Sequence, residues 1–156
     1  MSIKTIRINI WLKLTILLSL AFYSHLLSAQ SDISKDFGEY RVYYSVFNST
    51  FLTPKVAAAY GFTRAKDQAL INISLIRQSS SGNSLGLPAQ VSGKVTNLIG
   101  QSTSLNFKEI QEGDATYYLA AFTFADQDPL NFDIDVRRND SSVPYQIQFT
   151  RTLYAD

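Results

Sequence analysis

From Tyr40 onward, apolar and polar positions alternate with a period of two, which is typical of β-strands. The clearest case is 130–137, where Leu130, Phe132 and Ile134 alternate with polar and charged residues. Comparable segments, rich in the Tyr, Phe, Val and Thr that strands favour, recur between turn-forming stretches. The predicted strands cover 40–48, 68–77, 89–98, 105–112, 116–124, 130–137 and 145–153.

One segment departs from this alternation. Thr53 is a favoured helix N-cap, and Pro54 suits the first helical position. Good helix formers follow, and Gly61 can end a helix in the left-handed conformation. The sequence therefore predicts a short helix near 54–60, and we expect it to cover one end of the fold.

Seven short strands with regular turn signals predict an all-β protein, an antiparallel β-sandwich of the immunoglobulin-like type. The chain has no Cys, and its single Trp is Trp11, so the disulfide and core Trp of antibody domains are missing. No internal repeat or long linker interrupts the pattern. We predict a single β-sandwich domain over residues 30–156.

The first 29 residues have a different composition. Their charged residues are Lys4, Arg7 and Lys13, all basic, and an apolar run and small residues ending at Ala29 follow. This order is typical of a secretory signal peptide, so we predict cleavage near Ala29 and a periplasmic mature protein. A retained membrane anchor is the alternative, although the apolar run is shorter than the roughly 20 residues that a spanning helix needs.

Removing the signal segment changes the charge of the protein. The 14 Lys and Arg residues fall to 11 against 13 Asp and Glu, so the net charge becomes −2 instead of +1. The His, Trp and Met residues also leave, and the mature chain has no side chain that titrates near neutrality. Slight acidity without a basic stripe argues against nucleic acid as a partner. The sequence predicts no cofactor and no resident metal.

The stretch 82–86 matches the G-x-S-x-G pattern of hydrolase nucleophile elbows. That chemistry needs a His beside the Ser and a helix after the turn. The mature chain has no His, and a Pro and a predicted strand follow. We interpret this stretch as a hairpin loop.

Carboxylates could support acid–base chemistry or metal binding. Glu109, Glu112 and Asp114 cluster near one turn, and Asp126 and Asp128 near another. Two carboxyl groups in one cleft could form a hydrolase site. The second cluster, with Asp114, could bind calcium through its oxygen atoms. Solvated turn residues are the simpler interpretation of both clusters.

Aromatic side chains could instead line a groove for a sugar or a peptide. A sandwich without Trp or Met must fill its core with Phe and Tyr, so core packing is the favoured interpretation of most of these rings. The candidate rings are Tyr43, Tyr44, Phe47, Phe51, Tyr60, Tyr117 and Tyr118.

Several stretches resemble a family of small exported bacterial proteins, the domain of unknown function 4426 (DUF4426). They are 44–54 (YSVFNSTFLTP) with 59–61 (AYG), 93–101 (GKVTNLIGQ) and 107–118 (FKEIQEGDATYY). The resemblance covers essentially the whole mature chain. It implies a single exported β-rich domain without an established activity, and it supplies no catalytic residues.

The polar residues in these stretches favour structural roles over ligand contact. Thr53 can cap the helix, and Asn97, Gln101 and Glu112 can satisfy backbone groups in turns that would otherwise stay unpaired. Asn48 and Glu109 are the other polar members.

The leading hypothesis is an exported, non-enzymatic domain that binds a protein or peptide of the cell envelope. Strand addition at an exposed sheet edge is a plausible mode. The alternatives are a small-ligand module that uses the Tyr and Phe surface, and a hydrolase based on carboxylates. The candidate surface for a ligand or partner comprises Tyr43, Phe47, Asn48, Asn97, Gln101, Glu109, Glu112 and Tyr117.

Overall fold

The alternating segments form strands in a computed structural model of the protein, which describes residues 33–155. The predicted signal peptide 1–29 and its cleavage site near Ala29 lie outside the described residues. All seven predicted strands are present, with ends that shift by a few residues. The strands are β1 (Ser34–Phe37), β2 (Tyr40–Asn48), β3 (Gln68–Arg77), β4 (Ala89–Thr96), β5 (Ser102–Ser104), β6 (Lys108–Glu112), β7 (Ala115–Thr123), β8 (Pro129–Arg138) and β9 (Tyr145–Thr152).

The strands form two antiparallel sheets with the strand order of an immunoglobulin fold. One sheet has the order β1-β2-β3-β7-β6, and the other has the order β5-β4-β8-β9. In an immunoglobulin constant domain, strands A, B, E and D form one sheet and strands C, F and G form the other. Here β2, β3, β7 and β6 take the first four places, and β4, β8 and β9 take the last three. The predicted immunoglobulin-like sandwich is therefore confirmed.

The core lies between the two sheets and consists of the inward residues of each strand. Ile71, Ile73 and Ile134 are completely buried. Phe122 of one sheet meets Phe132 of the other edge to face, with ring centroids 5.4 Å apart. Such aromatic pairs add stabilisation beyond the buried area, so this contact helps to join the sheets.

The connection between β2 and β3 contains the predicted helix, α1 (Pro54–Tyr60). The backbone N–H of Val56 donates to Thr53 Oγ1, and Gly61 has φ 66°, so both predicted caps are confirmed. A 3-10 turn, Ser49–Phe51, precedes the helix. The expected position was wrong: this connection packs against the outer face of the five-stranded sheet, not against an end of the sandwich. Phe62 and Leu70 are buried there in a second apolar cluster.

Candidate functional site

The two glutamates of β6 lie on opposite faces of the strand. Glu109 Oε2 accepts a hydrogen bond of 3.2 Å from Tyr118 Oη, whose phenol also accepts from the buried Ala89 N–H at 2.7 Å. Glu112 Oε1 accepts from Tyr60 Oη at 3.2 Å, on the outer face. Residues of opposite parity on a strand face opposite ways. The strand therefore separates the carboxylates that a hydrolase would need in one cleft.

The aromatic candidates are divided between the core and the outer face. Tyr44 and Tyr118 are buried between the sheets, whereas Phe47 and Tyr117 pack against the outer cluster under the β2–β3 connection. Burial, with the neighbouring Glu112, raises the pKa of Tyr117 to about 12. Tyr43 is half-buried on β2, and Arg41 Nη1 lies 3.5 Å from its hydroxyl. The seven rings do not form one surface.

Asn97 and Gln101 build the turn between β4 and β5. Asn97 Nδ2 donates to Gln101 Oε1 at 2.9 Å, and the Gln101 N–H donates to Asn97 Oδ1 at 2.8 Å. The second bond confirms the predicted backbone role of Asn97, whereas the Gln101 side chain pairs with the Asn97 side chain and not with a backbone group. The turn holds Leu98 and Ile99 in solvent, 72% and 77% exposed.

The serine of the G-x-S-x-G stretch is bound to its own loop. Ser84 Oγ accepts from the Arg77 N–H and donates to the Leu85 carbonyl, both at 2.8 Å. The next residue, Gly86, passes so close to β7 that an added Cβ would lie 2.1 Å from the Thr116 carbonyl oxygen. This stretch is a loop that ties β3 to β7, in agreement with its interpretation as a loop.

The proposed calcium ligands are separated along β7. Asp114 precedes this strand and Asp126 and Asp128 follow it, so they lie toward opposite ends of the sandwich. Asp126 Oδ1 accepts from the Ala155 N–H at 2.8 Å. Along residues 33–155 there is no group of three His, Cys, Asp or Glu residues that could hold a metal. The same part of the chain has no helix long and apolar enough to cross a membrane.

Among the four edge strands, β9 differs from β1, β5 and β6 in length, and from β1 and β6 also in the charge of its outer face. It has eight residues, whereas the others have three to five. Natural edges are commonly protected by shortness, Lys, Pro or other charges. β1 and β6 carry such charges, but the outer side of β9 carries the neutral Gln146, Gln148, Thr150 and Thr152.

The edge of β9 faces β1 and β2 of the other sheet, and we call this side of the sandwich the β2–β9 seam. Its middle is the contact between Tyr44 and Phe149, whose rings stack with centroids 4.7 Å apart. The upper half runs from there toward Tyr40 and Tyr145. The lower half runs toward Asn48 and Tyr154, where Asn48 Nδ2 donates to the Tyr154 carbonyl at 2.8 Å.

The upper half is closed by aromatic and charged contacts. Phe37 stacks on Tyr145 with centroids 4.7 Å apart, and Lys35 Nζ donates to the Gln146 carbonyl at 3.1 Å. The Arg138 guanidinium lies 4.3 Å from the ring centroid of Tyr40. Arg138 also forms two hydrogen bonds, of 2.8 and 2.7 Å, to the carboxylate of Asp140. The hydrogen bonds to Arg138 lower the pKa of Asp140, and the same pair raises the pKa of Arg138.

In the lower half, no described strand pairs with the free edge of β9, and one arginine nitrogen there is unpaired. The bond from Lys35 shows that the Gln146 carbonyl points away from β8, and this orientation recurs at every second residue of an antiparallel edge strand. Gln148 and Thr150 therefore present their N–H and C=O groups outward. Arg151 is half-buried, and its Nε is buried without a hydrogen-bond partner.

The prediction from sequence included Asn48 of this seam but not Arg138, Tyr145 or Arg151. A signal for Arg151 was present in the sequence. It is in phase with the inward residues Tyr145, Ile147 and Phe149, so it places a cation where the alternation calls for an apolar side chain.

The family model described as a domain of unknown function, DUF4426, matches residues 34–156. The chain belongs to the DUF4426 family. A DUF4426 family protein from Pseudomonas aeruginosa PAO1, known from a crystal structure, is similar to it, with 32% sequence identity and a TM-score of 0.68. The likeness covers 79% of this chain and 94% of that chain. None of the curated proteins compared matches the chain.

The DUF4426 match begins at the first residue of β1 and includes the whole β2–β9 seam. The resemblance found in the sequence is thus confirmed. Two of the stretches that carried it, 44–54 and 93–101, contain the ends of β2 and β4 and reach the same end of this DUF4426 sandwich.

Proposed function

We propose that this protein is an exported binding domain of the bacterial cell envelope, without enzymatic activity, which adds an extended segment of a partner protein to the edge of β9. The observation that carries the proposal is the edge itself. It is eight residues long, its outer face is neutral, and no strand within residues 33–155 pairs with its free side. Strand addition uses the backbone groups of such an edge for affinity.

The composition of the mature chain supports a binding role. It has no His and no Cys, the residues that most often supply bases and nucleophiles at neutral pH. The carboxylates that could replace them, Glu109 and Glu112, accept hydrogen bonds on opposite faces of β6. An immunoglobulin-like sandwich hosts many functions, so the proposal depends on the edge and not on the fold.

Site-specific photo-crosslinking tests the proposed edge. A benzophenone amino acid replaces Gln148 on the β9 edge, with Gln111 on the β6 edge and Gln90 on the outer face of β4 as matched exposed controls. We expect a discrete adduct in envelope preparations from Gln148 and not from the controls. Adducts of equal yield at Gln111, or none at Gln148, would contradict strand addition at β9.

Export is tested separately. Cells that express the full chain are fractionated, and the mass of the protein in the periplasmic fraction is measured. We expect a product that begins at or near Gln30, because the basic, apolar and small residues before it have the order of a signal peptide. An intact chain held in the membrane fraction would favour the retained anchor.

A further inference from the structure

Arg151 is an exceptional arginine in the part of the chain that the structure describes. Arg41, Arg77 and Arg138 each bind a carboxylate. Arg64 donates to the Thr50 carbonyl at 3.0 Å. Arg137 is exposed to water, whereas Arg151 is half-buried and its Nε is buried without a hydrogen-bond partner.

The buried, unpaired Nε of Arg151 costs stability. Arginine stays protonated in proteins, so it cannot avoid the cost by losing its charge. A buried donor without a partner loses its hydration without compensation. A carboxylate that arrives from outside would supply two parallel hydrogen bonds and a counter-charge at once.

The position of Arg151 in the fold indicates which kind of partner could supply that carboxylate. It follows Phe149, which stacks on Tyr44, and precedes Tyr154, whose carbonyl is bound by Asn48. It therefore lies along the lower half of the seam, on the strand whose edge is open at Gln148 and Thr150. A side chain on the same face of an added strand would lie about 5 Å from Arg151 between Cβ atoms.

We propose that the lower half of the β2–β9 seam binds an extended segment of a partner protein that carries an Asp or Glu, whose carboxylate pairs with Arg151. This inference rests on the proposed function and specifies its partner. The backbone of the segment bonds to the outward groups of Gln148 and Thr150, and the acidic side chain faces inward toward the guanidinium. Affinity comes from the edge and selectivity from the charge.

The test uses the protein purified from cells that express the full chain, labelled with ¹⁵N. The probe is a short capped peptide of alternating Thr and Val with a central Glu, and its matched control carries Gln at that position. We expect the Glu peptide to shift the amide signals of Gln148 and Thr150 and the Nε signal of Arg151. It should bind about tenfold more tightly than the Gln peptide, since a charge-assisted bond replaces a neutral one.

Two matched variants assign the preference to one residue. Arg151→Gln should remove the difference between the peptides, whereas Arg137→Gln, the same change on the exposed face of β8, should leave it intact. Equal affinity of the two peptides, or shifts confined to other strands, would overturn the inference, as would no binding of either peptide. A partner adduct at Gln148 without a charge preference would leave the proposed function standing and remove only the role of Arg151.

The same spectra identify other occupants. If Asp32→Asn in the free protein shifts the Nε signal of Arg151, the chain's own N-terminal region supplies the carboxylate and the inference fails. If the Nε signal of Arg151 instead shifts as protein concentration rises, and light scattering shows a larger mass in solution, the occupant is a second copy of the chain. That result also overturns the inference of a separate partner protein.

Discussion

Each half of the β2–β9 seam contains an arginine, and the two arginines differ in their bonding partners. In the upper half, Arg138 lies over the ring of Tyr40 and holds Asp140 with two hydrogen bonds. In the lower half, Arg151 has a buried Nε without a partner. Arg138 therefore has a carboxylate and an aromatic partner, whereas the Nε of Arg151 has no hydrogen-bond partner.

The difference between the halves has a structural cause in the hairpin of β1 and β2. β1 pairs with residues 40–43 of β2, and a further bond joins the Tyr44 N–H to the Ile33 carbonyl. The hairpin brings Phe37 and Lys35 against the top of β9. The described part of β1 does not extend along the rest of β2. The upper half thus contributes stability, whereas in the lower half no described strand pairs with the free edge of β9.

The largest expected loss of unfolding free energy comes from a substitution at Phe149, which lies at the boundary between the two halves. Phe149 stacks on both Tyr44 and Phe132, with centroids 4.7 Å away in each case. Phe149→Ala should lower the free energy of unfolding by about 3 kcal/mol, because it removes both ring contacts and leaves a cavity. Denaturant unfolding measures it, with Phe51→Ala as the control at a ring that is 76% exposed. Equal effects of the two substitutions would show that the seam is not part of the core.

The upper half should be the next most sensitive region. Tyr145→Ala removes the stacking on Phe37 and the contact with Tyr40, and we expect a loss of about 2 kcal/mol in unfolding free energy. Tyr145→Phe keeps both ring contacts and loses only a long bond of 3.4 Å from Arg138, so it should cost less than about 1 kcal/mol. Chemical denaturation of the two variants separates ring packing from the hydroxyl. A larger loss for the Phe variant would contradict this account.

In the lower half, Asn48 should contribute a smaller amount. Its side chain is 7% exposed and bonds to the Tyr154 carbonyl, which holds the end of the chain beside β2. Asn48→Ala should cost about 1–2 kcal/mol in unfolding free energy, because the part-buried hydrogen bond to Tyr154 is lost. Asn83→Ala, in the exposed loop before β4, is the control. An unchanged stability for Asn48→Ala would show that the lower half does not depend on this tie.

The sequence predicted most of this architecture and little of the seam. The sandwich follows from period-two alternation, and the helix caps at Thr53 and Gly61 follow from local chemistry, so both could be predicted without long-range contacts. β1 is too short and polar to show a pattern, because its stability comes from pairing with β2 and from Phe37 on Tyr145. The position of α1 depends on the apolar cluster on the outer face of the five-stranded sheet. That cluster forms only when distant strands pair, so local sequence does not show it.

The candidate surface illustrates the same limit. Of its eight residues, Asn97 and Gln101 lie together because they are four positions apart in one turn. Glu112 and Tyr117 meet across the β6–β7 hairpin, whereas Glu109 faces the other way. Asn48 is in the seam because β9, about a hundred residues later, packs against β2. Arg151, in the same half of the seam, could be recognised as out of pattern from the sequence, but the unpaired state of its Nε is visible only in the fold.

Acid should weaken the upper half by a small amount. The hydrogen bonds to Arg138 hold the pKa of Asp140 below its usual 3.8, so the ionised form favours the folded state. This contribution is complete above the unfolded pKa and is lost as pH falls through the lower, folded pKa. A carboxyl titration by NMR should give a midpoint below 3.8 for Asp140, and Arg138→Met should move it upward. An unmoved midpoint would show that Arg138 is not the cause.

The smallest expected change in unfolding free energy is that of Arg151→Met in the lower half. Arg151→Met keeps much of the apolar stem and removes the charge and the unpaired Nε. We therefore expect an unfolding free energy that is unchanged or higher by up to about 1 kcal/mol, since a group without a partner contributes only its desolvation cost. Arg138→Met should lower it, because that change removes the stacking on Tyr40 and leaves Asp140 without its donor. Denaturant unfolding of this pair compares the halves directly. If both changes were equally destabilising, Arg151 would stabilise the fold as Arg138 does. It would then not be an unsatisfied group that a partner could pair with.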